Sequence, residues 1–475
     1  MLTHLRIKNF KAWKDTGPIR LAPLTVIFGA NSAGKSSLGH LLLALQQTAR
    51  STDRKRALHL GDGSSLIDLG TFTDCLHGHA LDKTLAFELG WELPKPLEVL
   101  DPLQATSRYQ GDHMRLAVEL VAGKAAQPEV QALAYALSMR EKNGRDGKDV
   151  LDVELRRDDK RKFTLSSQSY SFKMADGRKW PLEEPEKFYR LSDISRARFK
   201  NAGFLADFAL STEEMLDSLS YLGPLRNHPQ RIYQWSGETP SNVGQMGEHA
   251  VAALLAADSD GRKLNRHAGL HTKQFAEFIA AWLKDLGVIH DFAVQAVANG
   301  RKEYEVLIKT HAKAPQVKIT DVGFGVSQVL PALVQAFYCP PHSTVWMEQP
   351  EIHLHPQVQA ELADVFISAT QAREDGKERH VQLIVESHSE HFLNRLQLRM
   401  AEGAIEPQDV AVYFCRREGS ATELEALSLN MFGEIENWPE HFFGNEMADI
   451  AGRTLAAMKR KRVLAQSAPL EGAQK

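Results

Sequence analysis

The stretch "LTVIFGANSAGKSSL", residues 24–38, joins three local patterns in one line. Its opening "LTVIF" (24–28) is a β-branched and aromatic run of the kind buried on both faces of a parallel sheet. From Gly29 to Ser36 it matches G-x-x-x-x-G-K-[ST] without a break, and "SLGHLLLALQQTA" follows with leucines at helical spacing. Strand, glycine loop and helix thus arrive in the order a phosphate cradle requires. The glycines allow a tight turn on which backbone N–H groups converge, and the next helix points its positive end there. Lys35 adds a cation and Ser36 a hydroxyl ligand for Mg²⁺. Gly29, Asn31, Ser32, Ala33, Gly34, Lys35, Ser36 and Ser37 are therefore the expected nucleotide contacts, with ATP and Mg²⁺ as cofactors.

The rest of the composition bounds the partners. The chain has 475 residues, enough for two or three units formed by insertion. Lys and Arg number 57 against 60 Asp and Glu, so no global cationic field marks a nucleic-acid binder. Cys75, Cys339 and Cys415 show neither CxxC nor zinc spacing and read as reduced packing thiols of a cytoplasmic protein. The opening "MLTHLRIKNFKAWKD" alternates like a strand rather than a signal peptide, and no 18-residue apolar run occurs, which argues against membrane insertion.

Two later strand ends supply acid. "TVWM" (344–347) ends in Glu348-Gln349-Pro350-Glu351, and "HLHP" then turns the chain into the helix "QVQAELADVFISA". A carboxylate at such a strand end orients a magnesium shell, so Glu348 is expected as metal acid beside Ser36. "VQLIV" (381–385) ends in Glu386-Ser387-His388-Ser389, a polar cluster where open parallel sheets place ligands, and His388 is expected to reach a γ-phosphate. Upstream, "KITDVGFGVSQVLPALVQAF" (318–337) puts Gly323 and Gly325 ahead of a helix expected to begin near Val326 or Ser327, a second anion-binding helix start.

Taken together, these motifs resemble the ABC-superclass ATPase heads of the SMC, RecF and OLD type. More narrowly, "YLGPLRNHPQRIY" and "WPEHFF" resemble stand-alone bacterial ATPases of antiphage defence loci that end in a domain of unknown function. The resemblance implies an α/β P-loop head with a mixed central sheet flanked by helices. It also implies a homodimer with ATP sandwiched between heads, Lys35 of one subunit facing Gly323, Gly325 and Ser327 of the other. Assembly beyond the dimer stays open. Two departures stand out. Val322-Gly323-Phe324-Gly325 replaces the usual Leu-Ser-Gly-Gly, leaving Ser327 as the nearby hydroxyl, and Gln349 replaces the glutamate that polarises the attacking water. An amide cannot accept the proton, so slow hydrolysis is expected, with Glu351 or His388 assisting. "DLGTFTD" (68–74) sits where such heads carry a glutamine-bearing loop and offers no glutamine.

The expected organisation is a first head segment over 1–84, an inserted, mainly antiparallel β region over 85–200 and a helical lobe over 201–300. The second head segment follows over 301–415, then a family-specific segment and tail over 416–475. Helices are expected over 203–222 and within 245–287. "VAVYFCRR" and "ATELEAL" should extend or flank the sheet. "RRDDKRK" (156–162), mixed in sign, reads as a solvated hairpin. Arg226, Arg231, Tyr233 and Trp235 either clasp a nucleic-acid strand or belong to a proline-rich loop packed on the head. No long heptad array and no glutamate plus D-x-D nuclease set occurs, and the basic tail from Met458 reads as a frayed end. The expected function is an ATP-driven switch over an effector protein encoded nearby, in antiphage defence or genome surveillance. A RecF-like DNA clamp is the alternative, and a transporter subunit fits poorly.

Overall fold

The apolar runs at 24–28, 344–347 and 381–385 become neighbouring strands buried along their whole length. A computed structural model describes the chain except residues 105, 141–146, 177–179, 268, 420, 440–454 and 459–475. The six-stranded sheet runs, edge to edge, Leu219–Leu222, Thr344–Glu348, Gln382–Glu386, Leu24–Gly29, Val410–Glu418 and Ala421–Leu427. Every pairing is parallel except the last. Such strands are covered on both faces, and their continuous apolar character reflects it. The sheet is mixed, as expected, and both "VAVYFCRR" and "ATELEAL" belong to it.

The N-terminal strand Leu2–Phe10 lies elsewhere. It pairs with Leu85–Leu100, Leu5 opposite Leu89, and opens an eight-stranded antiparallel sheet that continues through Phe163–Ser166. The expected boundary at 84–85 therefore falls inside one sheet. Gln382 ties this sheet to the parallel one: its Oε1 accepts from Leu2 N at 3.1 Å, and its Nε2 donates to Leu2 O at 2.7 Å and to Ala22 O at 3.0 Å. The 156–162 segment is a hairpin between Asp149–Arg157 and Phe163–Ser166, its Arg156 and Arg157 paired with Glu119, Glu154 and Glu129.

The expected helical lobe divides. Helix Leu205–Asp217 packs on the P-loop helix Lys35–Arg50, where Gln46 Nε2 donates to Leu216 O and Leu219 O, both at 2.7 Å. Residues 219–222, expected as helix, are the edge strand of the parallel sheet. The remaining lobe carries helices Ala250–Ser259 and Phe275–Asp285 together with short strands. Phe278 and Trp282 pack on Phe337 of helix Phe324–Tyr338, with centroids 4.8 and 6.2 Å apart. That helix starts at Phe324 rather than near Val326, because Gly323 at φ −58° and ψ 151° is already its N-cap and Gly325 lies in the first turn.

The chain forms two units, Met1–Glu436 and Asn437–Lys475. In the second unit residues 437–439 and 455–458 are described, so most of "WPEHFF" and of the basic tail lies outside the described residues. Among the described residues no helix is long and apolar enough to cross a membrane. Cys75, Cys339 and Cys415 are all buried free thiols.

Candidate functional site

The parallel strands deliver the P-loop and two acids to one edge. After Gly29 the chain turns through Ser32 at φ 61° and Gly34 at φ 88°, both left-handed, before helix Lys35–Arg50. Gly29 must lack a side chain: a Cβ there would stand 2.5 Å from Cys415 O on the neighbouring strand. Trp13 supports the loop from the N-terminal hairpin. Its Nε1 donates to Gly34 O at 3.1 Å and Ser37 Oγ at 2.9 Å. Ser37 Oγ in turn donates to Gly34 O, so this buried hydroxyl braces the loop rather than facing a ligand.

Lys35 is buried, and its Nζ donates to Gly29 O at 2.8 Å and Ala30 O at 3.0 Å, folding back on its own loop. Burial lowers its pKa, opposed by the carboxylates around it. Those carboxylates come from adjacent strands at one level, Glu348 opposite Glu386. Ser36 Oγ donates to Glu386 Oε2 at 2.8 Å, and Trp346 Nε1 donates to Glu386 Oε1 at 2.7 Å. Tyr221 OH donates to Glu348 Oε1 at 2.7 Å, and His40 Nε2 stands 3.6 Å from the same oxygen. Burial, then the Glu348 charge, pushes the Glu386 carboxyl up to about 8. For Glu348 burial works against the charge, but the contacts with His40 and Tyr221 prevail and hold it below the ordinary range. Two like charges so close divide in this way: one stays ionised and the other holds a proton.

Beyond this pair, Gln349 takes φ 45° and its N–H donates to Glu386 O at 2.8 Å. Glu351 is buried, its Oε1 accepting from Ser387 Oγ at 2.8 Å and His388 N at 2.7 Å, and burial raises its pKa. His388 Nε2 is buried without a partner, and burial and Lys35 lower this ring to about 4. Asn31, Gln349, Glu351, His353, His388 and Ser389 line a cavity of about 440 Å³. His355 and Ser389 cap the helices Pro356–Gln371 and Glu390–Ala401 that follow these turns.

Gly29 to Ser36, Glu348, Gln349, Glu351 and His388 are thus gathered at one sheet edge. The Gly323 turn does not line the cavity; Gly325 instead lies near Leu354 and His353 O. Gly323 is exposed, whereas Ser327, offered as a hydroxyl for an opposing phosphate, is buried. Sequence reading missed the roles of Glu386, Trp346, Tyr221, His40 and Arg226. Glu386 had a signal, since it ends its apolar run just as Glu348 does. Gly39 within a helix was another, because a Cβ there would meet the Trp346 ring at 2.6 Å. Segment 68–74 runs into the short helix Phe72–Cys75, which meets the N-terminal hairpin through Lys11 N donating to Cys75 O at 2.7 Å. The link from lobe to Glu348 is instead the loop after Leu222, which carries Arg226. Arg231 pairs with Asp321 at 2.8 Å, Tyr233 sits in a strand beside Tyr304, and Trp235 packs on Tyr304, so these groups are engaged within the chain.

The donor set fits a nucleotide and magnesium. Ser36 and the two carboxylates offer oxygen ligands at the P-loop, and His388, whose buried Nε2 has no partner, lines the neighbouring cavity. Among the described residues no cage of three or more His, Cys, Asp or Glu exists, and magnesium bound through phosphates needs none.

Residues 264–393 match the AAA ATPase domain family, and residues 405–451 match a protein family of unknown function, DUF3696. No curated protein matches the chain. Among solved structures, it is similar to an SMC head bound to the C-winged helix domain of ScpA, at 11% identity and TM-score 0.39 over 90% of this chain and 98% of the other. It is also similar to the SMC head domain from Thermotoga maritima, at 12% identity and TM-score 0.36 over 90% and 99%.

Proposed function

We propose that this chain, which carries an AAA ATPase domain in a P-loop ABC-type head, is an ATP-dependent switch that pairs with a second copy and governs an effector protein. The convergence of Lys35, Ser36, Glu348 and Glu386 beneath the left-handed P-loop carries the reading. Bound phosphate would draw Lys35 Nζ away from the Gly29 and Ala30 carbonyls, giving it a charged acceptor in place of neutral ones. Magnesium, held by Ser36, Glu348 and Glu386, would supply charge neutralisation at the transferred phosphoryl group. His388, neutral through the physiological range, would donate or accept a hydrogen bond at the γ-phosphate without adding charge. Gln349 orients water without taking its proton, which supports slow turnover.

Pairing is supported by the Gly323 turn. Exposed Gly323 caps a helix of 15 residues and stands outside the cavity of its own subunit, where a second subunit's nucleotide could meet that helix start. A γ-phosphate touched from both sides would favour closure, and its loss would release it. Control of a nearby-encoded effector, in antiphage defence or genome surveillance, follows from the motif resemblance. The test is ATP binding and phosphate release by the wild type and Lys35→Ala. Loss of the net value of one charge-assisted hydrogen bond, about 1.5–3 kcal/mol, should weaken binding about 10- to 150-fold. Equal binding by both would overturn the assignment.

A further inference from the structure

The loop after strand Leu219–Leu222 buries a cation that the proposed chemistry does not use. Arg226 is 7% exposed; its Nη2 donates to the Glu348 main-chain oxygen at 3.4 Å, while Nε and Nη1 are buried without partners. On the same turn Glu351 is 6% exposed, and its Oε2 is likewise buried without a partner. The Glu351 charge is among those acting on Arg226, yet the two are not hydrogen bonded to one another. Two buried, opposite, half-satisfied groups that flank Gln349 form an incomplete pair.

The Arg226 loop also follows the lobe. Gly223 N donates to Gln245 O at 2.8 Å and Asn227 N to Met246 O at 2.9 Å. Residues 243–247 are in turn fixed to helix Phe324–Tyr338. Val243 N donates to Gln335 Oε1 at 2.9 Å, and Gly247, at φ 75°, packs so closely that a Cβ would lie 2.5 Å from Pro331 Cβ. The helix that bears Gly323 is thus connected to the Arg226 loop through the Gln335 side chain, the Gly247–Pro331 contact and two main-chain hydrogen bonds.

We propose that Arg226 is a positioning residue: when nucleotide draws the lobe onto the head, its guanidinium closes on Glu351 Oε2 and fixes the turn that presents Gln349. Hydrolysis then depends on where the lobe stands. The planar fork of arginine suits this role because it keeps the Glu348 carbonyl on one nitrogen while pairing through others. The inference rests on the ATP reading of the site.

The experiment is a double-mutant cycle in the full chain with Arg226→Gln, Glu351→Gln and both, measuring kcat, the Kd of a fluorescent ATP analogue, and the rise in melting temperature on adding ATP and Mg²⁺. Each single change should lower kcat about tenfold or more, with Kd within about threefold and the ATP-induced rise correspondingly little changed. The double variant should be no slower than the slower single one, and Arg226→Lys, which keeps the charge but not the fork, should recover only part of the rate. Losses that multiply, or a change in Kd alone, would overturn the coupling while leaving the ATP site intact. A wild type that binds no analogue would overturn the site reading and the coupling with it. Should Arg226→Gln not fold, Arg226→Lys combined with Glu351→Gln is judged by the same rule.

Discussion

Ser36 Oγ donates to Glu386 Oε2 at 2.8 Å, so the hydroxyl that a P-loop offers to magnesium rests on an acid of the neighbouring strand. That acid sits beside Glu348 and is pushed up to about 8 by burial and by the Glu348 charge.

The pH dependence follows with a definite sign. Between the ordinary value of 4.5 and about 8 the folded protein keeps the Glu386 proton that the unfolded chain has lost. The native state then binds more protons, and stability falls as pH rises through this window, by at most about 1.4 kcal/mol per unit. Melting temperatures at pH 6, 7 and 8 without nucleotide should decline in the wild type and flatten in Glu386→Gln. Parallel slopes in the two proteins would contradict the assignment.

Gln349 should limit the chemical step. An amide cannot act as a base, and a positioned base contributes about 10²–10⁴-fold. Gln349→Glu should therefore raise kcat about 10²-fold without improving ATP affinity, measured as phosphate release at saturating ATP. A fast wild type that gains nothing from the change would refute this account of the turn.

Gly39 makes room for Trp346, whose indole holds Glu386 at 2.7 Å. Gly39→Val would force the ring away, an overpacking cost of about 1–3 kcal/mol. It should lower the melting temperature by a few degrees and weaken Mg²⁺-dependent ATP binding. Trp346→Phe should share the second effect through loss of the Nε1 donor. Unchanged magnesium dependence in both variants would show that the indole plays no part in arranging the acid.

What was legible in the sequence was local. Gly29 to Ser36 is a contiguous motif, and the strand ends at Glu348 and Glu386 announce themselves by buried runs that stop at an acid. The rest depends on sheet order. That Glu386 rather than Glu348 bonds Ser36 follows from strand Gln382–Glu386 lying between Leu24–Gly29 and Thr344–Glu348. Tyr221 reaches Glu348 because residues 219–222, helical by their spacing alone, are captured as a parallel edge strand. Across the boundary drawn after residue 84, Leu5 meets Leu89 in a long-range pairing that periodicity does not encode.

The central claim is that one triphosphate joins two copies through the Gly323 turn. Its most direct test is the particle mass in solution, for wild type with and without ATP and Mg²⁺, for Lys35→Ala and for Gly323→Asp, whose carboxylate would repel a phosphate. The account predicts a doubling of mass with ATP in the wild type, lost in both variants while Gly323→Asp still binds nucleotide. A wild-type mass indifferent to bound ATP, or a Gly323→Asp protein that doubles like the wild type, would contradict it.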